Sequence, residues 1–210
     1  MVYAIAHIRG GMDKGKKWYQ DGKKKKKINT FEDFICSALY LKKERISGEI
    51  SIHGGSAGGL LVGATLNIRP DIFKAAVAEV PFVDVLNTIL DDTLPLTPPE
   101  WEEWGNPIKN IEDFQYISSY SPYDNIKEQD YPTLLVTSGL TDPRVTYWEA
   151  TKWVAKLRNK KTDTNPLFLK TYTEAGHGGM AGRYNQIKEV AFTYAFILWS
   201  HNLLKRPISS

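Results

Sequence analysis

Short apolar runs alternate with longer amphipathic stretches along most of this 210-residue chain. Runs typical of buried strands occupy residues 2–8, 49–53, 75–80, 133–137 and 167–171. Stretches with helical periodicity occupy residues 31–45, 57–67, 146–160 and 182–204. This alternation predicts a mostly parallel sheet with helices on both faces, that is, a single α/β domain over residues 1–210.

Two regions depart from the regular alternation. Residues 85–131 hold several prolines with aromatic residues between them, which predicts short helices and loops lying over the strand ends. The run at residues 2–8 follows Met1 directly, yet it has the composition of a central strand. We therefore expect the sheet to lack an upstream part, which would leave an exposed edge prone to aggregation or pairing.

Charge and composition argue against several functional classes. The 27 Lys and Arg residues nearly balance the 24 Asp and Glu residues, and we expect the one basic block, residues 23–27, to be a solvated loop and not a nucleic-acid site. No apolar run approaches the roughly 18 residues of a membrane span, and the N-terminus does not have the pattern of a signal peptide. The lone Cys36 and the absence of zinc spacing predict no disulfide and no metal, so we expect a cytoplasmic protein without cofactors.

The pattern Gly54-x-Ser56-x-Gly58 lies between an apolar run and an amphipathic stretch. In a sharp strand-to-helix turn the serine has a strained backbone, and the residues two positions away must be small so that its hydroxyl stands clear of the sheet. The amide of Ala57, at the start of the new helix, becomes a candidate donor to an oxyanion. A glycine-rich phosphate loop is the alternative, but the lysine of such loops is missing.

A serine nucleophile needs an acid and a base, and in α/β-hydrolases these follow the serine along the chain in the order Asp or Glu, then His. We predict His177 as the base, because it lies in a glycine loop after the last strand, whereas His201 ends a helix and should be a surface residue. Asp142 is the best-placed acid, since it follows the strand at residues 133–137 by a short turn. The weaker rivals are Asp84 and Asp124.

Several further segments, together with the serine motif, resemble the oligopeptidase B branch of the prolyl oligopeptidase family. They occur in the family's order over nearly the whole chain: Arg9-Gly10-Gly11, Trp18-Tyr19, Asn29-Thr30-Phe31, Ala78-Glu79-Val80-Pro81-Phe82-Val83-Asp84, Trp101-Glu102-Glu103-Trp104-Gly105-Asn106-Pro107, Tyr120-Ser121-Pro122-Tyr123 and Gly176-His177-Gly178-Gly179. The resemblance implies a serine peptidase that cuts short peptides after Arg or Lys. It also implies Ser56, Asp142 and His177 as the catalytic triad.

A pocket for a basic side chain requires carboxylates, because a cation that leaves water needs a paired charge. The acids around Trp101 are candidates, although such a cluster alone is more often a solvated helix face. The resemblance implies Glu100 as the main acid for the substrate side chain, with Glu102 as a second and Phe82 as an apolar wall. It implies that Arg144 binds the substrate backbone, whereas the residue pattern alone also fits a surface arginine.

Family members that this chain resembles carry a β-propeller and an upstream tyrosine that completes the oxyanion hole, and neither is present in this sequence. The resemblance therefore leaves three hypotheses open. The chain is a peptidase domain, acting alone or with a separately encoded propeller chain; it is an inactive fragment or interaction module; or it is a small-ester hydrolase. The expected substrate in the first case is a short basic peptide.

Overall fold

Four parallel strands form the centre of the fold in a computed structural model, which describes residues 1–204. They are β1 (Ser51–Gly55), β2 (Ala75–Glu79), β3 (Thr133–Gly139) and β4 (Leu167–Tyr172). The strands lie side by side in chain order, with Ser51 opposite Ala75 and Leu134 opposite Leu167. The parallel sheet predicted from the apolar runs is confirmed, with strand ends that differ by a few residues.

The helices cover both faces of this sheet, as predicted. They are α1 (Lys16–Gln20), α2 (Ile28–Lys43), α3 (Ala57–Ile68), α4 (Val85–Leu90), α5 (Thr97–Trp104), α6 (Ile111–Tyr120), α7 (Tyr147–Lys160) and α8 (Arg183–Ser200). Side chains of α2, α3 and α7 share one core cluster with Leu134 and Val136, whereas Phe196 of α8 packs with Val77 and Leu135. Because successive strand residues point to opposite faces, these clusters lie on opposite sides of the sheet.

The proline-rich segment forms the short helices α4, α5 and α6, in agreement with the sequence prediction. These helices pack around a core cluster that includes Leu60 of α3 and Phe82 and Val85, which follow β2. The cluster therefore lies at the carboxyl end of the strands, which is the edge of the sheet where Ser56 begins α3. No helix within residues 1–204 combines the length and apolarity needed to cross a membrane.

The predicted strand at residues 2–8 is wrong. Val2, Tyr3 and Ile5 are about two-thirds exposed, and no strand within residues 1–204 pairs with this segment. A strand forms only where its amides and carbonyls find a ladder partner, and an apolar composition does not supply one.

The basic block also differs from the predicted solvated loop. Lys24–Lys26 form a turn of 3-10 helix, and three lysines pair with acids of other helices: Lys24 with Glu102, Lys25 with Glu112 and Lys27 with Glu103. Burial lowers the pKa of Lys27, which Glu103 partly offsets. The lysine run thus docks onto acids brought near by the fold, which its local sequence could not indicate.

Candidate active site

The carboxyl ends of the four strands carry the residues that the sequence analysis selected. Ser56 follows β1, Phe82 follows β2, Asp142 follows β3 and His177 follows β4. In open α/β sheets this end is where ligands bind, because the loops there form a crevice.

Ser56 occupies a strained turn between β1 and α3. Its φ of 55° and ψ of −120° lie in a region that side-chain-bearing residues rarely adopt. Two backbone bonds hold the turn: the Ser56 amide donates to the Glu79 carbonyl at 2.9 Å, and the Phe82 amide donates to the Ser56 carbonyl at 3.1 Å. The turn after β1 is therefore fixed to the end of β2.

Two close approaches explain why glycines surround Ser56. A methyl group at Gly54 would lie 2.2 Å from the Gly58 carbonyl oxygen, so this glycine is required as predicted. The requirement predicted for Gly58 is wrong, since a methyl group there meets nothing within 4 Å. Gly59 is the second tight position, because its methyl group would lie 2.4 Å from the Pro81 Cβ.

This difference predicts unequal effects of two neighbouring substitutions. Gly59→Ala should lower the free energy of unfolding by about 1–3 kcal/mol, because the added methyl group overpacks the contact with Pro81. Gly58→Ala, in open space, is the matched control and should leave the protein at least as stable. Urea denaturation of both variants measures the difference, and equal stabilities would contradict the packing interpretation.

Ala57 is the first residue of α3, and its amide has no backbone acceptor within residues 1–204. The residue is exposed beside Ser56. A free amide at a helix start is a suitable donor to a developing negative charge.

His177 and Asp142 are joined by a hydrogen bond of 2.7 Å between Nδ1 and Oδ2. The Asp142 side chain is fully buried, and its other oxygen accepts the amides of Arg144 at 2.8 Å and Val145 at 3.0 Å. Three bonds thus fix the carboxylate, which in turn orients the imidazole. Ser56 and His177 both line an open cleft of about 380 Å³, but no hydrogen bond joins their side chains among the described residues.

The rival acids lie elsewhere. Asp84 is buried and pairs with Lys152, and Asp124 is exposed. Neither shares a hydrogen bond with a histidine in the part of the chain that the structure describes. Asp142 is therefore the acid that the fold brings to His177.

None of the residues that were predicted to bind substrate lines this cleft. Glu100 accepts a bond from the Trp104 indole at 2.8 Å, and the Trp104 ring lies 5.4 Å from the buried ring of Phe82. Glu102 is exposed and pairs with Lys24. Arg144 is exposed.

The comparisons with known proteins identify the family. The sequence profile of the prolyl oligopeptidase family, Peptidase S9, matches residues 1–203. The chain belongs to the prolyl oligopeptidase family. Within it, the chain is similar to Protease 2 of Moraxella lacunata, at 52% identity over 94% of this chain and 29% of the relative. It is also similar to dipeptidyl aminopeptidase BI of Pseudoxanthomonas mexicana, at 50% identity over 94% of this chain and 28% of the relative.

Among solved structures of the prolyl oligopeptidase family, the fold is similar to oligopeptidase B from Trypanosoma brucei with covalently bound antipain. The TM-score is 0.92 at 49% identity, over 96% of this chain and 29% of that one. The chain thus has the α/β-hydrolase fold of these relatives, and it spans less than a third of their length.

Sequence analysis missed two glutamates that support the site in this member of the prolyl oligopeptidase family. Glu149 of α7 is fully buried and accepts the amides of Val83 and Asp84 at 3.0 and 2.9 Å. Glu189 of α8 accepts the Met180 amide at 2.9 Å and so holds the loop that carries His177. Helical spacing could have revealed Glu149, which lies four residues before the buried Trp153.

The described residues form no evident metal-binding site. Residues 1–204 contain no group of three or more His, Cys, Asp or Glu side chains placed to hold an ion. Glu79 and His53, which lie near Ser56, pair with each other at 3.2 Å. His53 of β1 is exposed, and its partner Glu79 is the last residue of β2.

Proposed function

We propose that this chain is the catalytic part of a serine peptidase that hydrolyses short peptides after Arg or Lys. The observation that carries the proposal is the hydrogen bond from His177 Nδ1 to the buried Asp142 carboxylate, since His177 lines the same cleft as Ser56. This bond leaves Nε2 as the nitrogen that takes a proton, since a carboxylate partner fixes the proton on Nδ1.

The chemistry follows from these three groups. His177 removes the Ser56 proton as Oγ attacks the substrate carbonyl, and the carbonyl oxygen becomes an oxyanion that the Ala57 amide stabilises. His177 then gives the proton to the leaving amine, and an acyl-serine remains. Water, deprotonated by His177, hydrolyses the acyl-serine and restores Ser56.

The charges around α5 support the preference for a basic side chain. Glu102 and Glu103 have lysine partners, so their charges are partly balanced within the protein. Glu100 has a neutral indole as its partner, and no cation within residues 1–204 lies at ion-pair distance from it. A carboxylate with a neutral partner, next to the apolar rings of Phe82 and Trp104, suits the aliphatic stem and charged head of Arg or Lys.

The test uses fluorogenic peptides with Arg, Lys or Pro before the reporter, and a simple nitrophenyl ester. The purified chain should cleave the Arg and Lys peptides well above the Pro peptide. Faster cleavage of the Pro peptide would overturn the specificity, and hydrolysis of the ester alone would favour the small-ester hydrolase. A separately encoded propeller chain stays a prediction, which a gain in activity on adding such a chain would test.

The role of Glu100 gives a more specific prediction. Glu100→Gln keeps an oxygen for the Trp104 indole but removes the charge, so kcat/KM for the Arg peptide should fall about 10- to 100-fold. The nitrophenyl ester, which carries no cation, should react at the wild-type rate.

Two further variants serve as comparisons for Glu100→Gln. Glu112→Gln removes a surface acid that pairs with Lys25 and should have no effect. Glu102→Gln should have a smaller effect than Glu100→Gln, because Lys24 already neutralises Glu102. An unchanged Arg-peptide rate in Glu100→Gln would remove this residue from the substrate pocket.

A further inference from the structure

A second serine, histidine and acid lie at the opposite end of β1 from Ser56. Ser51 Oγ is 2.6 Å from His201 Nε2, and His201 Nδ1 is 3.2 Å from Glu49 Oε2. The two ring nitrogens of one histidine thus link a hydroxyl to a carboxylate. The sequence analysis expected His201 to be a surface residue, and this was wrong, since its side chain is only 14% exposed.

The backbone fixes Ser51 and His201 in this group. Ser51 begins β1, where it lies opposite Ala75. His201 ends α8, and its amide donates to the Ile197 carbonyl at 3.2 Å. The group therefore joins the start of β1 to the end of α8, and its geometry depends on the folded chain.

The charge of Glu49 is supported by a neighbouring cation. Lys74 Nζ lies 3.4 Å from Glu49 Oε1, the oxygen that His201 does not contact. Lys74 and then His201 hold the pKa of Glu49 below its ordinary value. A charged carboxylate at Nδ1 keeps the proton on that nitrogen, so Nε2 accepts a bond from the Ser51 hydroxyl.

We infer that Ser51 is a base-assisted acylation site that reacts with activated esters independently of Ser56. His201 Nε2 takes the Ser51 proton while Oγ forms a bond to the ester carbonyl carbon. The bond from that carbon to the leaving phenolate breaks, and the product is an acyl-serine with one phenolate released. Ser51 lies within a strand, without the strained turn and helix amide of Ser56, so the site accepts one acyl group and does not turn over quickly.

The test treats the folded Ser56→Ala chain with 4-nitrophenyl acetate and maps acetyl groups by peptide mass spectrometry. Ser47 is an internal control, because it lies in the same tryptic peptide, residues 46–74, and donates to the Glu49 carbonyl with no histidine beside it. Ser51 should be acetylated about 10²-fold faster than Ser47, which is the lower range for assistance by a positioned base. The Ser56→Ala background makes the result independent of the peptidase proposal.

Two comparisons separate this chemistry from simple exposure. His201→Gln keeps a polar side chain but removes the base, so the rate at Ser51 should fall to that of Ser47. Glu49→Gln changes an exposed residue and leaves the histidine in place, and it should also lower the acetylation rate at Ser51. Equal acetylation rates at Ser51 and Ser47 in the folded chain would overturn the inference. So would an unchanged rate at Ser51 after the chain has been unfolded in about 6 M urea.

Discussion

Replacing Ser56 by alanine should abolish labelling by a fluorophosphonate probe at the cleft, and Asp142→Asn should slow peptide hydrolysis by about 10⁴-fold. The serine supplies the only atom that bonds to the probe in the proposed mechanism. Asparagine keeps the size of the acid but donates to His177 Nδ1 through its amide, so the proton shifts to Nε2 and that nitrogen no longer accepts the Ser56 proton. Labelling followed by peptide mapping measures the first effect, and steady-state hydrolysis measures the second.

Asp124→Asn is the matched control, because it changes an exposed acid of the same type between the serine and the histidine. It should leave both readouts unchanged. A similar loss in Asp124→Asn and Asp142→Asn would contradict the assignment of the acid. Absence of labelling in the folded wild-type chain would instead favour the hypothesis of an inactive fragment that needs a further part of the oxyanion hole.

The second large effect is expected at Glu149, which holds the segment between β2 and α4 against α7. Glu149→Leu leaves the buried amides of Val83 and Asp84 without an acceptor, and each such group costs about 1–3 kcal/mol. The free energy of unfolding should therefore fall by about 2–6 kcal/mol. Glu149→Gln should retain most of this stability, since its carboxamide oxygen can accept both amides while its NH₂ group faces the Thr88 hydroxyl.

Stability should also depend on pH through the same carboxyl group. Burial raises the pKa of Glu149 to about 7, and the bonds from Asp84, Thr88 and Val83 only partly oppose this effect. The pKa of Glu149 in the folded state exceeds its value near 4.5 in the unfolded state. Between about pH 4.5 and pH 7 the folded state therefore binds more protons than the unfolded state, and it loses stability as the pH rises through this range.

Denaturation at several pH values tests this coupling. The free energy of unfolding of wild type, taken relative to that of Glu149→Gln, should fall by about 2.5 kcal/mol between pH 5 and pH 8. Glu149→Leu should be unstable across the whole range. A pH-independent difference between wild type and Glu149→Gln would show that the Glu149 carboxyl group titrates normally.

Much of the architecture could be predicted from the sequence because apolar periodicity is a local signal. The runs at residues 75–80 and 133–137 became β2 and β3 because both are buried on two faces and end in turn residues. The run at residues 2–8 is also apolar but pairs with no strand among residues 1–204, and pairing is a property of the whole sheet. The absence of a strand at residues 2–8 of the described chain could therefore not be predicted from the local pattern alone.

The site shows the same division between local and distant information. The serine motif, Ala57 and the glycine loop around His177 are local, and the structure brings Asp142 to His177 as the order along the chain predicted. The partners of Glu102, Glu103 and His201 come from distant segments, so they cannot be predicted from the spacing of residues along the chain. The tight contact at Gly59 is similar, since the neighbour that forbids a side chain is Pro81, beyond the next strand.

The order of the strands also has a consequence for synthesis on the ribosome. The residues that hold the Ser56 turn, which are Gly54, Glu79 and Phe82, are close to the serine along the chain and have all been translated once Phe82 has emerged. Asp142 and His177 come much later along the chain, after β3 and β4. The residues that hold the Ser56 turn are therefore synthesised well before the acid and the base, and the proposed hydrolytic chemistry can begin only after His177 has been translated.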